Sequence, residues 1–147
     1  MYTKENKELV RQVCKDANEA VGDVSKIRSA FDKYYAPGYI RHGPSEGDMN
    51  WEQALQFNVA LFSAFPDLNF SIDDILAEGN KVAYRYTVRG THKGTFMGIT
   101  ATEKRIVGKG VEIYMIAGGK IVEGWDFPDN LGVMTQLGVI SGAVPKT

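Results

Sequence analysis

The stretch RIVGKGVEIYMIAGGKIVEGWDF, residues 105–127, decides the fold. Apolar and polar residues alternate along both halves, as strands with two unlike faces require, and Gly118-Gly119 divides them. The spacing predicts a long strand from Arg105 to Ala117, a glycine turn, and a returning strand from Lys120 to Phe127. Two acids lie among apolar neighbours, Glu112 in Val111-Glu112-Ile113-Tyr114 and Asp126 in Gly124-Trp125-Asp126-Phe127. Whether they share a face depends on the turn, because a slip of one residue exchanges the faces of a strand. A two-residue Gly118-Gly119 turn pairs Ala117 with Lys120 and separates the carboxylates. A three-residue loop, Ala117-Gly118-Gly119, puts Glu112, Tyr114, Ile116, Val122, Gly124 and Asp126 on one face. The three-residue loop is the expected register. Gly119 suits its left-handed position, and Gly110 and Gly124 would stand opposite Asp126 and Glu112, leaving open volume before each acid.

The same period continues upstream. Val82, Tyr84, Tyr86 and Val88 alternate with Ala83, Arg85, Thr87 and Arg89, and Leu68, Phe70 and Ile72 form a half-buried pattern, with Gly79-Asn80 as the turn between them. Residues Gly90 to Lys104 form a Gly- and Thr-rich connection carrying Phe96-Met97. Before Pro66 the period is helical. Leu9, Val10, Val13, Cys14, Ala17, Ala20 and Val21 predict a helix near residues 3–21, stopped by Gly22. Asp23 caps a second helix with Ile27, Ala30, Phe31 and Tyr34 on one face, ended by Pro37-Gly38, and Tyr39 to His42 is a short extended piece. Gly43 to Met49 is a polar loop. Asn50 caps a third helix, with Gln53 as its capping-box partner and Trp51, Leu55, Val59, Phe62 and Phe65 as its apolar residues. After Pro128 a short helix turns Leu131, Met134 and Leu137 inward, followed by a loose tail. Helices followed by a meander of long strands predict an α+β domain spanning residues 1–147, with the helices on one face of the sheet.

Composition narrows the function. Apolar residues make up 44% of the chain, and 17 Lys plus Arg against 18 Asp plus Glu leave a net charge of −1. That balance offers no electrostatic footing for nucleic acid or an anionic membrane. The longest apolar run, Ile113 to Ala117, is too short to cross a bilayer. Lys4, Glu5, Lys7, Glu8 and Arg11 occupy the place of a signal peptide's apolar stretch, and the single cysteine, Cys14, cannot form an internal disulfide, so a cytoplasmic location is expected. No nucleophile-elbow, P-loop or dinucleotide motif is present, and His42 and His92 lie fifty residues apart without ligand spacing, so neither metal nor cofactor is expected. The two strand acids are what remains. Their structural alternative is pairing with a cation such as Arg85 or Lys109, just as Tyr84, Tyr86 and Tyr114 have a core role open to them.

Five segments together resemble the SnoaL-like polyketide cyclase family: Phe65-Pro66-Asp67-Leu68, Glu78 to Ala83, Val88 to Ile99, Gly119 to Glu123, and Trp125-Asp126. The resemblance runs from the first helix to Leu137. It implies the cone-shaped fold of the nuclear-transport-factor-2-like superfamily, a curved sheet wrapped around three helices and enclosing a deep apolar cavity. It also implies intramolecular aldol ring closure on a small, mostly apolar carbonyl compound, without metal or cofactor. By position, Asp126 would be the general acid/base, Glu112 the polar group on the neighbouring strand, and His42 a group at the cavity mouth. Substrate contacts would come from His92, Tyr114, Trp51, Phe62, Tyr86, Phe96 and Met97. Two departures from the family pattern involve three residues. Gly124 replaces the histidine of a His-Trp-Asp run, and Gly110 and Glu112 stand where the cyclases carry Gln and His. The alternatives are a binding protein for a hydrophobic metabolite and an isomerase resembling the ketosteroid type, with Glu112 as a neutral donor. In the expected register Val111, Ile113, Met115, Ile121 and Trp125 point outward, an apolar stripe that predicts a homodimer.

Overall fold

Side-chain caps set where the helices begin. In a computed structural model that describes residues 2–140, Asp23 accepts the backbone N–H groups of Ser25 and Lys26 and opens helix α2 (Val24–Tyr34) behind helix α1 (Tyr2–Ala20). Asn50 and Gln53 form the reciprocal capping box, both hydrogen bonds 2.9 Å, at the start of α3 (Trp51–Ala64). Such caps each contribute on the order of 1 kcal/mol. The strands are β1 (Tyr35–Gly43), β2 (Gly47–Asn50), β3 (Asn69–Glu78), β4 (Lys81–Thr91), β5 (Arg105–Ala117) and β6 (Lys120–Pro128), followed by α4 (Asn130–Gln136). They form one mixed sheet in the order β2-β1-β6-β5-β4-β3, in which only β1 and β6 run parallel. The core lies between the helices and one sheet face, with Val10, Phe31, Leu55 and Phe62 packed with Val82, Tyr114, Ile116 and Ile121. Asn18 clasps α1 to β3 by accepting the Phe70 N–H (2.7 Å) and donating to the Phe70 carbonyl (2.9 Å). This is the α+β fold that the order of elements predicts and the cone that the family resemblance implies.

Several local expectations change. Helix α2 passes directly into β1 at Tyr35, and Pro37-Gly38 lies inside that strand where its pairing with β6 shifts register. Proline lacks a ladder donor and is tolerated at such an irregularity. The expected loop from Gly43 to Met49 contains β2, whose four residues are too few and too polar to show an alternation. In α4, Leu131 points outward while Val133 packs on the core and Leu137 is buried. The expected tail lies, from residue 141 onward, outside the described residues. No described helix is long and apolar enough to cross a membrane.

The β5–β6 hairpin resolves the register question in a third way. Gly118 and Gly119 form a two-residue turn with φ of 58° and 76°, so Ala117 pairs with Lys120 and the expected three-residue loop does not form. Two consecutive left-handed residues are what a type I′ turn requires. Val122 then bulges: Ile116 pairs with Ile121, but the next rung joins Met115 to Glu123. The extra residue restores the parity that the short turn had reversed, and Glu112 ends directly opposite Asp126 on the same face. Gly110 therefore faces Pro128 and Gly124 faces Tyr114, which corrects the expected glycine–acid pairs. Ile121, expected outside, is fully buried.

Candidate active site

A cavity of about 190 Å³ lies between the helices and the inner face of the sheet, and one rung crosses its wall. Tyr84, Glu112 and Asp126 are successive partners on β4, β5 and β6, so their side chains stand in a row. The glycines beside this row hold no open volume. A Cβ on Gly110 would collide with the Tyr86 hydroxyl, and one on Gly124 would come within 2.8 Å of the Tyr39 hydroxyl and 3.1 Å of the Tyr114 ring. They let tyrosine rings lie close against the backbone.

Arg41 on β1 organises the charges. Its Nη2 donates to Asp126 Oδ2 at 3.0 Å, its Nη1 lies 3.5 Å from Glu46 Oε2, and its guanidinium sits 4.8 Å over the Phe57 ring. The residue is only 5% exposed. Tyr86 donates to the other Asp126 oxygen at 2.9 Å. Tyr84 donates to Glu112 Oε1, and the Tyr35 and Tyr114 hydroxyls meet at 2.9 Å beside it. The Asp126 carboxyl is raised, burial outweighing the opposing pull of the Arg41 charge and of the Tyr86 hydrogen bond. Burial, and then the Asp126 charge, push Glu112 up to about 8. Burial works against the Arg41 charge, yet Asp126 outweighs it and the guanidinium is held protonated. All the tyrosines here are raised by burial first, so they are neutral donors.

Of the residues singled out from sequence, Glu112, Asp126, Phe62, Tyr86, Tyr114, Phe96 and Met97 line the cavity. Phe96 and Met97 belong to a short hairpin closed by the Phe96–Ile99 bridge, in which Met97 has φ of 50° and is half exposed. Three do not reach it. His42 lies on the opposite sheet face from Arg41, bonded to Asp48 (2.7 Å) and Glu123 (2.6 Å) and stacked on Trp125. Those two hydrogen bonds raise its pKa. His92 is fully buried against Phe65, its Nδ1 3.2 Å from the Thr102 N–H, while its Nε2 meets no partner among the described residues. Trp51 packs edge-on against Phe31 beneath Arg28. Sequence reasoning missed Arg41, Tyr35, Tyr39 and Glu46. The signal for Arg41 is its spacing of two from Tyr39, which puts both on one strand face. Among the described residues no three His, Cys, Asp or Glu side chains gather as a metal site.

The SnoaL-like polyketide cyclase family profile matches residues 12–137. The chain belongs to that family. The aklanonic acid methyl ester cyclase DauD of Streptomyces sp. strain C5 is 30% identical over 135 residues, covering 89% of this chain and 80% of that protein. The nogalonic acid methyl ester cyclase of Streptomyces nogalater is 29% identical over 107 residues, 71% of this chain and 77% of that one. Among solved structures, a SnoaL-like protein from Jannaschia sp. CCS1 superposes with a TM-score of 0.84 at 25% identity, covering 94% of each chain. The family's cone and the two-acid cavity thus occur on one scaffold.

Proposed function

We propose that this protein is a cyclase that closes a ring on a neutral polyketide ester by aldol chemistry, with Asp126 as general acid/base. The observation that carries the reading is a carboxyl that accepts from the Arg41 guanidinium through one oxygen and from Tyr86 through the other, on the wall of a largely apolar cavity. Asp126 takes a proton from the carbon beside one carbonyl, and that carbon attacks a second carbonyl. A C–C bond forms, and the new alkoxide receives a proton, so nothing is oxidised or reduced and no cofactor is consumed. Proton transfer supplies roughly 10²–10⁴-fold, and holding the chain in a near-closed pose supplies more. A neutral substrate fits because the Arg41 cation is already shared by Asp126 and Glu46, leaving no partner there for a substrate carboxylate. Two of the relatives act on methyl esters. The cavity takes about one aromatic ring, since an engineered apolar cavity of roughly 150 Å³ accepts benzene, so the reacting ring would enter while the rest lies toward Phe96 and Met97.

Aklanonic and nogalonic acid methyl esters are the probes. Ring-closed product is expected from the unaltered protein, and Asp126→Asn should lower kcat by about 10²–10⁴-fold. Native mass spectrometry showing a retained, chemically unchanged ligand, with no turnover of either ester, would replace this reading with a binding protein. The reading also includes a homodimer through the outer face of the sheet, where Val111 and Phe127 are 43% and 54% exposed beside Ile113 and Trp125.

A further inference from the structure

We infer that the two carboxyls form an unequal pair: Asp126 is the ionised base, Glu112 holds the one shared proton and delivers it to the substrate oxygen that gains charge, and Arg41 is the positioning residue that fixes this order. The inference rests on the acid/base reading above and adds a second catalytic residue to it.

Geometry supplies the premise. Glu112 and Asp126 are direct cross-strand partners, and side chains so placed lie within about 5 Å at their Cβ atoms. Two carboxylates that close, on a wall shielded from water, do not both ionise. The surroundings decide which one keeps the proton. Asp126 accepts from a cation through one oxygen and from Tyr86 through the other. Arg41's other guanidinium nitrogen turns to Glu46, and Glu112 receives its hydrogen bonds from neutral phenols, Tyr84 and Tyr114, rather than from a cation. Around Glu112 stand the phenols of Tyr84 from β4, Tyr114 from β5, and Tyr35 and Tyr39 from β1. Across the cavity, Cys14 of α1 and Asn58 of α3 bring no charge, the thiol being raised by burial. Arg41, Asp126 and Glu46 already sum to −1, and ionising Glu112 would make the cluster −2. The upward displacement of Glu112 to about 8 agrees with this placement.

The proton balance closes. Before reaction the pair holds one proton, on Glu112. Asp126 removes the C–H proton as the C–C bond forms, and Glu112 gives its proton to the new alkoxide. Asp126 is then protonated and Glu112 ionised. Passage of the proton from Asp126 to Glu112 restores the starting state, and the substrate has exchanged a C–H for an O–H.

Infrared difference spectroscopy of the whole chain, without any ligand, tests the pair directly. At neutral pH the protein should show a protonated-carboxyl carbonyl band that titrates near pH 8. Glu112→Gln should abolish it, Asp126→Asn should keep it while lowering its midpoint, and Arg41→Met should add a second such band from Asp126. Carbon-13 NMR titration of protein labelled at glutamate Cδ or aspartate Cγ gives the same assignment without a substitution, should a variant fail to fold. A neutral-pH proton on Asp126, or none on either acid, overturns the inference. With a methyl ester that is turned over, Glu112→Gln should lower kcat about 10²-fold and remove the alkaline limb of the pH profile, whereas Asp126→Asn removes the acid limb. If the band behaves as expected and no ester reacts, the acid pair stands and the cyclase reading fails.

Discussion

Alternate residues of the same two strands face opposite worlds, and at the centre of this sheet the usual assignment is reversed. On the inner face Glu112, Tyr114 and Asp126 put charge and hydroxyls against the core, with Glu112 only 7% exposed. On the outer face Val111, Ile113, Trp125 and Phe127 present apolar surface, two of them substantially to water. A sheet selected for stability alone buries the second set and exposes the first. The contrast separates two tasks. The inner face gives up stability to hold an acid pair away from water, and the outer face carries the apolar area on which the proposed dimer rests.

Removing the charge that holds the inner face together is the strongest way to break the contrast. Arg41→Met leaves Asp126 and Glu46 without their cation, and loss of one partner of a buried ion pair costs about 3–5 kcal/mol. Urea unfolding at pH 7 should show a loss of that size, and a loss below 1 kcal/mol would mean that water reaches these carboxylates. A milder change sharpens the comparison. The folded chain holds the Glu112 proton up to about pH 8, whereas the unfolded chain releases it near the ordinary value of 4.5. Between those values the unfolded state binds fewer protons, so stability falls as pH rises through the window and levels off above it. Glu112→Gln should remove this slope, so that the variant's Tm exceeds the parent's by a margin growing from pH 5 to pH 8. Parallel Tm curves would contradict a buried, proton-bearing Glu112. The smallest effect on folding is expected outside. Phe127→Lys should change the unfolding free energy of the monomer by only about 0.5 kcal/mol, yet convert a sedimenting dimer to monomer at micromolar concentration and remove any dependence of Tm on protein concentration. A parent that already sediments as a monomer sinks the outer-face proposal.

The sequence discloses whatever is local and periodic. The alternations around Tyr84 and Glu112, the Asn50–Gln53 box and the Gly79-Asn80 turn all take the form their residue types dictate. The shared face of the two acids is also as expected, but by a different route, a two-residue turn compensated by a bulge. Nothing in Ile121-Val122-Glu123 marks the bulge, since valine suits either a paired or an unpaired strand position. The choice of His42 over Arg41 fails for a related reason. Neighbouring residues in β1 exchange faces, and which one turns inward is set by pairing with β6, far away in sequence. His92 and Trp51 lie beyond local reasoning too, because their places depend on Phe65 and Arg28 packing over them.

Val122 acts as a phase slip. The two glycines fix where the β5–β6 hairpin begins its count, and one skipped rung lets the chemistry fix where the count ends. Turn and acid pair are thereby uncoupled. A relative could lengthen the hairpin loop by one residue, lose the skip, and still present the same two acids inward. One residue gained in the loop and one lost at the skip leave the distance along the chain from Glu112 to Asp126 the same, so the two acids would align without a gap although the turn between them is built differently.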